Sequence, residues 1–135
     1  MILVDANVLM DAAGAGHPNK APAMGFLKRV AQGQVEATVD AEVLQEIIHR
    51  YRALHRWHDG QKVFTLARGL FPEVLSITGA VMDWAKQLAD EDPTVSARDA
   101  VHAAIVVTYQ LEGICTFDQD FDRIRGCRRV GIEWL

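Results

Sequence analysis

The stretch Met1-Ile2-Leu3-Val4-Asp5-Ala6-Asn7-Val8-Leu9 decides how the rest of the chain is read. Ile2–Val4 is a short continuous apolar run, the pattern of a strand buried on both faces of a parallel sheet. It stops at a carboxylate, and a helix start over Ala6–Ala13 follows. Further on, the strand-like Ile114-Cys115-Thr116-Phe117 is closed by Asp118, with Asp120 two residues behind. Glu46 sits inside the helical pattern Glu42-Val43-Leu44-Gln45-Glu46-Ile47-Ile48, and Asp99 opens the helix that continues Ala100-Val101-His102-Ala103-Ala104-Ile105. Carboxylates are rarely buried without partners, yet these four punctuate the most hydrophobic segments. Ligands of an open α/β sheet bind at the carboxyl ends of its strands. Acids converging there suit hard, oxygen-seeking cations such as Mg²⁺ or Mn²⁺, and the chemistry implied is metal-dependent cleavage of phosphodiesters.

Outward from these points, short apolar runs alternate with longer helical patterns. Gly14, Gly16 and Pro18 break the first helix, and a second runs from about Ala21 to Ala31 and ends near Gly33. Val35–Val39 alternates as a strand, and Asp40 reads as the N-cap of the next helix, its carboxylate accepting from free amides. That helix spaces Val43, Ile47, Tyr51 and Leu54 near the 3.6-residue period. A further helix over Gln61–Leu70 leads through Pro72 to a strand at Val74–Ile77, and Thr78 caps a helix over Ala80–Ala89. Ser96 caps an apolar helix over Ala97–Leu111 that Gly113 ends, and Arg129–Ile132 reads as a last edge strand. Strands alternating with helices predict a mostly parallel sheet with right-handed crossovers. The expected fold is a three-layer α/β/α sandwich, one domain over residues 1–135.

Half of the residues are hydrophobic, enough for a buried core and incompatible with a disordered chain. No apolar run approaches the ~18 residues that span a bilayer. With Asp5 interrupting its first apolar run, the chain is not expected to carry a signal peptide or to contact a membrane. Cys115 and Cys127 lack a C-x-x-C spacing and read as reduced thiols of a cytoplasmic protein. The formal charge of −4 at first argues against a nucleic-acid partner, but setting aside Asp5, Glu46, Asp99, Asp118 and Asp120 moves it to +1. Distribution matters more: His49-Arg50-Tyr51-Arg52-Ala53-Leu54-His55-Arg56-Trp57-His58 is basic, and Arg123 to Arg129 holds four more arginines. Arg50, Arg52 and Arg56 are candidate contacts to the phosphates of a nucleic acid or to an acidic protein segment, with a plain exposed face as the alternative.

The segment Val4-Asp5-Ala6-Asn7-Val8-Leu9, the mid-helix Glu46, Arg98-Asp99-Ala100, and Thr116-Phe117-Asp118-Gln119-Asp120-Phe121 together resemble the PIN-domain family, and in length the VapC toxins of bacterial toxin–antitoxin pairs. The resemblance spans essentially the whole chain. It implies a Mg²⁺- or Mn²⁺-dependent endoribonuclease with Asp5, Asp99 and Asp118 at the metal and Glu46 as the fourth acid. Asn7 and Thr116 match supporting hydrogen-bonding positions, and Asp120 a variable secondary acid. The compact Asp118-Gln119-Asp120 spacing departs from the longer gap of many VapC proteins, leaving either aspartate to face the metal. The implied partners are an RNA substrate, a small antitoxin and a second copy of the chain.

Each acid alone also suits a plainer role. Asp5 fits an N-cap, Asp99 a complement to the positive end of its helix, Asp118 a turn residue, and Glu42 rivals Glu46. Only their joint occurrence favours a cation site. His102, three residues after Asp99, reads as a core or supporting histidine before a metal ligand. His49, His55 and His58 read as solvated. Trp57 could stack on a base, although Trp57, Trp84 and Trp134 read first as anchors of core or dimer contacts. The alternatives are a PIN nuclease of RNA maturation and a PIN-like binding module without catalysis. A phosphoacceptor receiver domain is excluded, because no lysine follows Lys86.

Overall fold

The computed structural model describes residues 1–132. Its strands are β1 (Ile2–Val4), β2 (Ala37–Asp40), β3 (Val74–Leu75), β4 (Ile114–Cys115) and β5 (Arg129–Val130). Its helices are α1 (Ala6–Ala13), α2 (Lys20–Ala31), α3 (Ala41–Ala53), α4 (Trp57–Leu70), α5 (Gly79–Glu91) and α6 (Ala97–Thr108), with a 3₁₀ helix over Gln119–Arg123. The sheet order is β3-β2-β1-β4-β5, and every pairing is parallel.

Alternation along β1 builds the layers. Ile2 and Val4 join the core formed with α1 to α4, whereas Leu3 points the other way, into the core formed with α5 and α6. Helices therefore cover both faces, as the apolar runs require. Ile105 of α6 and Phe121 of the 3₁₀ helix are fully buried in the second core, each stabilising the fold by roughly 1.5–3 kcal/mol. No described helix is long and apolar enough to cross a membrane.

Chain order reverses at β1. The sheet grows through β2 and β3 on one side and through β4 and β5 on the other. A crevice opens at such a switch point, beyond the carboxyl ends of the two central strands, and there the chain places Asp5 after β1 and Thr116–Asp118 after β4.

Two helix ends differ from the periodic pattern. The basic stretch from His49 to His58 is not one helix. His55 adopts a left-handed φ of 55°, its amide donates to the Arg52 carbonyl and that of Arg56 to Tyr51, closing α3 in a Schellman-type turn. A new helix then starts at Trp57, four residues before the expected Gln61. Likewise α6 ends at Thr108, because Gln110 takes φ 55° and the Leu111 amide reaches back to the Val106 carbonyl. The stop precedes Gly113, to which the sequence pattern assigned it. In both turns a non-glycine residue accepts the left-handed conformation, which composition does not announce. Where α4 packs on α3, a Cβ on Gly60 would lie 2.6 Å from the Tyr51 Cβ, so glycine there lets the two helices meet beside the crevice.

Candidate functional site

The crevice is a cavity of about 400 Å³ whose wall includes Asp5, Glu46, Asp99 and Asp118 together with Asn7, Asp11, Tyr51, Arg50, Arg56 and Arg98. Asp5 is the N-cap of α1: its Oδ1 accepts the Ala6 amide at 2.7 Å. Its Oδ2 accepts the Thr116 hydroxyl at 2.7 Å and the Asn7 amide nitrogen at 3.3 Å. Thr116 is the hub of this edge, since its Oγ1 also accepts from Asn7 Nδ2 and from the Asp118 amide, each at 3.0 Å. One hydroxyl proton and two lone pairs are thereby all used, tying the end of β1 to the loop after β4.

Glu46 lies in the second turn of α3, buried and facing the cavity. Glu42, one turn earlier, is half-buried and outside the cavity wall. Asp99 stands in the first turn of α6, where its amide donates to the Ser96 hydroxyl cap at 3.2 Å. Asp118 is half-buried and caps the 3₁₀ helix by accepting the Asp120 amide at 2.9 Å. Asp120 is exposed and pairs with Arg123 at 3.2 Å, although one of its oxygens comes within 4.8 Å of those of Asp99 and Asp118. Of the two aspartates, Asp118 is the one in the cavity wall.

Behind the wall lies a buried histidine. His102 of α6 is fully buried; its Nδ1 is 2.7 Å from Asp40 Oδ2 and its Nε2 2.7 Å from Glu46 Oε1. Nε2 also lies 3.8 Å from Asp5 Oδ1. Asp40 caps α3 as its sequence suggests, accepting the Val43 amide at 2.9 Å, but its second oxygen is spent on the ring. That second use was not legible in the chain. The available signal was that Asp40 ends a strand just as Asp5 does, with a histidine set on the most apolar helix.

These surroundings shift the protonation of the group. Burial raises the Asp5 carboxyl to about 6, against the lowering effect of His102, with Glu46 adding to the rise. Asp99 is raised too, by burial and then by neighbouring Asp118. For His102, burial opposes the charged form, but the hydrogen bonds to Asp40 and Glu46 outweigh it and hold the ring well above its usual value. Cys127 is pushed up to about 12, first by burial, and is no nucleophile.

The donors in the cavity are carboxylate oxygens, the set favoured by Mg²⁺ and Mn²⁺ over softer metals. With His102 turned to two carboxylates, no imidazole or thiolate donor intrudes among the described residues of the wall. The residues therefore fit a hard divalent cation.

The three arginines proposed from sequence separate. Arg50 and Arg56 line the cavity, with Arg56 also bonded to Asp59 at 3.0 Å. Arg52 turns away and stacks at 4.6 Å on Trp57, occupying a face of the indole that base stacking would need. Arg98, exposed beside Asp99, is a further cation of the wall. Trp84 packs on the second core, and Trp134 lies outside the described residues. His49, His55 and His58 are exposed.

A parallel α/β sheet with a carboxylate-lined cavity at its switch point defines the class. The PIN domain model matches residues 2–126, and the chain belongs to the PIN-domain family. It is 38% identical over 130 residues to the VapC ribonuclease Mb1869c of Mycobacterium bovis and to ribonuclease VapC13 of Mycobacterium tuberculosis, covering 96% of this chain and 99% of each relative. Ribonuclease VapC23 of Mycobacterium tuberculosis is 34% identical over 118 residues, 87% of this chain and 93% of that one. The fold is also that of VapBC2 from Rickettsia felis, solved bound to a DNA fragment from its promoter. The TM-score is 0.76 at 14% identity, over 96% of this chain and 98% of that one.

Proposed function

We propose that the protein is a Mg²⁺- or Mn²⁺-dependent endoribonuclease of the VapC kind, the toxin of a toxin–antitoxin pair. The observation that carries this reading is the convergence of Asp5, Glu46, Asp99 and Asp118 on one cavity in a chain matching VapC ribonucleases along nearly its full length. Asp5, Asp99 and Asp118 hold the cation, and Glu46 is the fourth acid. When bound, the cation supplies a more acidic water and positive charge against the developing charge on phosphate. Thr116 and Asn7 hold the Asp5 carboxylate in place. Arg50, Arg56 and Arg98 offer their guanidinium groups to the RNA phosphates, placing the strand across the acids.

The kinship with VapC proteins extends the proposal to a small antitoxin partner and a cytoplasmic setting. A homodimer is the proposed assembly, supported by the apolar groove that Met24 and Leu66 border between α2 and α4. Light scattering of the purified chain tests it, and a monomer at all concentrations would refute it.

The deciding experiment is cleavage of single-stranded and structured RNA with Mn²⁺ or Mg²⁺, with EDTA, and with Asp99→Asn. Cleavage is expected only for the wild type with metal. Undiminished cleavage in EDTA would overturn the proposal.

A further inference from the structure

We infer that His102 is a positioning residue for the acidic cavity: anchored by Asp40, it fixes the Glu46 carboxylate beside Asp5 and does not itself bind the cation. The inference rests on the cation reading above and assigns that site a support. Ionised carboxylates only accept hydrogen bonds, and a neutral imidazole has a single donor. With a carboxylate oxygen 2.7 Å from each ring nitrogen, both nitrogens of His102 are already engaged by Asp40 and Glu46, and neither is turned to a metal. The ring cannot turn to present one. Asp40 holds it from below with an oxygen, while the other oxygen of Asp40 is fixed on the Val43 amide at the start of α3. Phe121, fully buried, packs beside it at 6.4 Å between ring centres.

Glu46 gains most from this chain of contacts. Its side chain has several rotatable bonds, and among the described residues its only hydrogen bond is the one from Nε2. That bond uses Oε1 and leaves Oε2 to the cavity, where, as the fourth acid, it adds negative charge towards the cation held by Asp5, Asp99 and Asp118. Asp5 Oδ1 lies 3.8 Å from the same nitrogen, so one ring spaces two carboxylates that would otherwise repel. Residues that orient ligand groups in this way commonly matter about tenfold to a hundredfold for metal affinity.

The two amide replacements separate positioning from simple packing. An asparagine amide falls near the place of Nδ1 and keeps only the Asp40 contact; a glutamine amide falls near Nε2 and keeps the donor to Glu46. By calorimetry with Mn²⁺, His102→Asn should bind at least about tenfold more weakly than wild type, and His102→Gln should recover most of that loss. The RNA kcat should fall in His102→Asn while KM changes by less than about twofold. Unchanged Mn²⁺ affinity in a folded His102→Asn, or equal losses in both variants, would overturn the positioning role. Wild-type protein that binds no Mn²⁺ would instead sink the cation reading beneath it. Should His102→Asn fail to fold, nitrogen-15 spectra of the wild-type imidazole still decide the matter. Both His102 nitrogens should show a bonded proton with and without Mg²⁺, and loss of the Nε2 proton on adding Mg²⁺ would make the ring a ligand and refute the inference.

Discussion

Asp5 and Glu46 are the buried acids of the cavity with His102 beside them, whereas Asp99 and Asp118 form its outer wall and the exposed Asp120 stands just outside it. Within each group one ligand-type atom per residue comes within 4.8 Å of the others, yet the charges are balanced differently. Two carboxylates about 4 Å apart at an effective dielectric near 20 repel by roughly 4 kcal/mol. The inner pair meets that cost with an internal cation, the doubly bonded imidazole. The outer acids are more exposed; of the arginines near them, Arg123 is taken by Asp120 and Arg98 is itself exposed. Asp99 and Asp118 are left facing each other, and their need for positive charge is met from solution. A cluster of like charges thus folds by enclosing a counter-charge or by staying wet.

The largest effect expected from this contrast is on cleavage. Asp5→Asn and Asp99→Asn should each lower Mn²⁺-dependent cleavage by about a hundredfold or more, since each removes an oxygen donor. Asp99 is held above its ordinary pKa, so its neutral form is the better fit, and Asp99→Asn should melt higher than wild type in EDTA. Wild type should gain about 2.7 kcal/mol from Mn²⁺ at a hundredfold excess over its dissociation constant, and Asp99→Asn much less. Melting curves of both proteins with and without Mn²⁺ check this. Equal metal-induced gains would dissolve the outer group as a cation site.

Next in size is the pH dependence of the metal-free protein. Asp5 moves from 3.8 to about 6 on folding, and a raised acid contributes stability that is fully present below its unfolded value and lost as pH rises through its folded value. A rise of that size corresponds to about 3 kcal/mol lost between pH ~4 and ~6. His102 is raised as well; its contribution is complete below pH ~6.5 and disappears as pH climbs through its higher folded value. Both groups therefore make the metal-free fold less stable towards alkaline pH. Urea unfolding from pH 4 to 8 reads the slope, and Asp5→Asn should flatten it between 4 and 6. A wild-type slope retained in that variant would show that the inner strain lies elsewhere.

The smallest effect concerns the arginines around the lip. Arg50→Ala and Arg56→Ala should each lower the salt slope of single-stranded RNA binding by about 0.7 for every phosphate left without its guanidinium. Arg52→Ala, on the far side against Trp57, should leave the slope unchanged. Binding titrations at several salt concentrations compare the three. A slope that drops for Arg52→Ala but not for Arg50→Ala would reverse the assignment of this stretch.

The two arginine-rich stretches show how far the chain could be read unaided. Both look basic in sequence. In the structure, Arg125 is bonded to Glu91 and Arg129 to Asp122, while Arg50 lines the cavity one helical turn after Glu46 and Arg56 does so beyond the turn at His55. Asp5, Glu46, Asp99 and Asp118 could be picked out because each follows a strand or begins or lines a helix, and strand runs, caps and helical periods are written within a few neighbouring residues. The alternation of continuous apolar runs with helical patterns likewise determined the parallel α/β layering, while the division of Ile2 and Val4 from Leu3 between the two cores was seen only in the structure. The choice of Asp118 over Asp120 as the cavity residue required the 3₁₀ turn that points one inward and ties the other to Arg123. Asp40 and His102 are 62 residues apart, and nothing local in either segment marks the other as its partner. Only the meeting of α3 and α6 brings them together, because a buried charge is satisfied by whatever packing places beside it, and that is a property of the assembled fold.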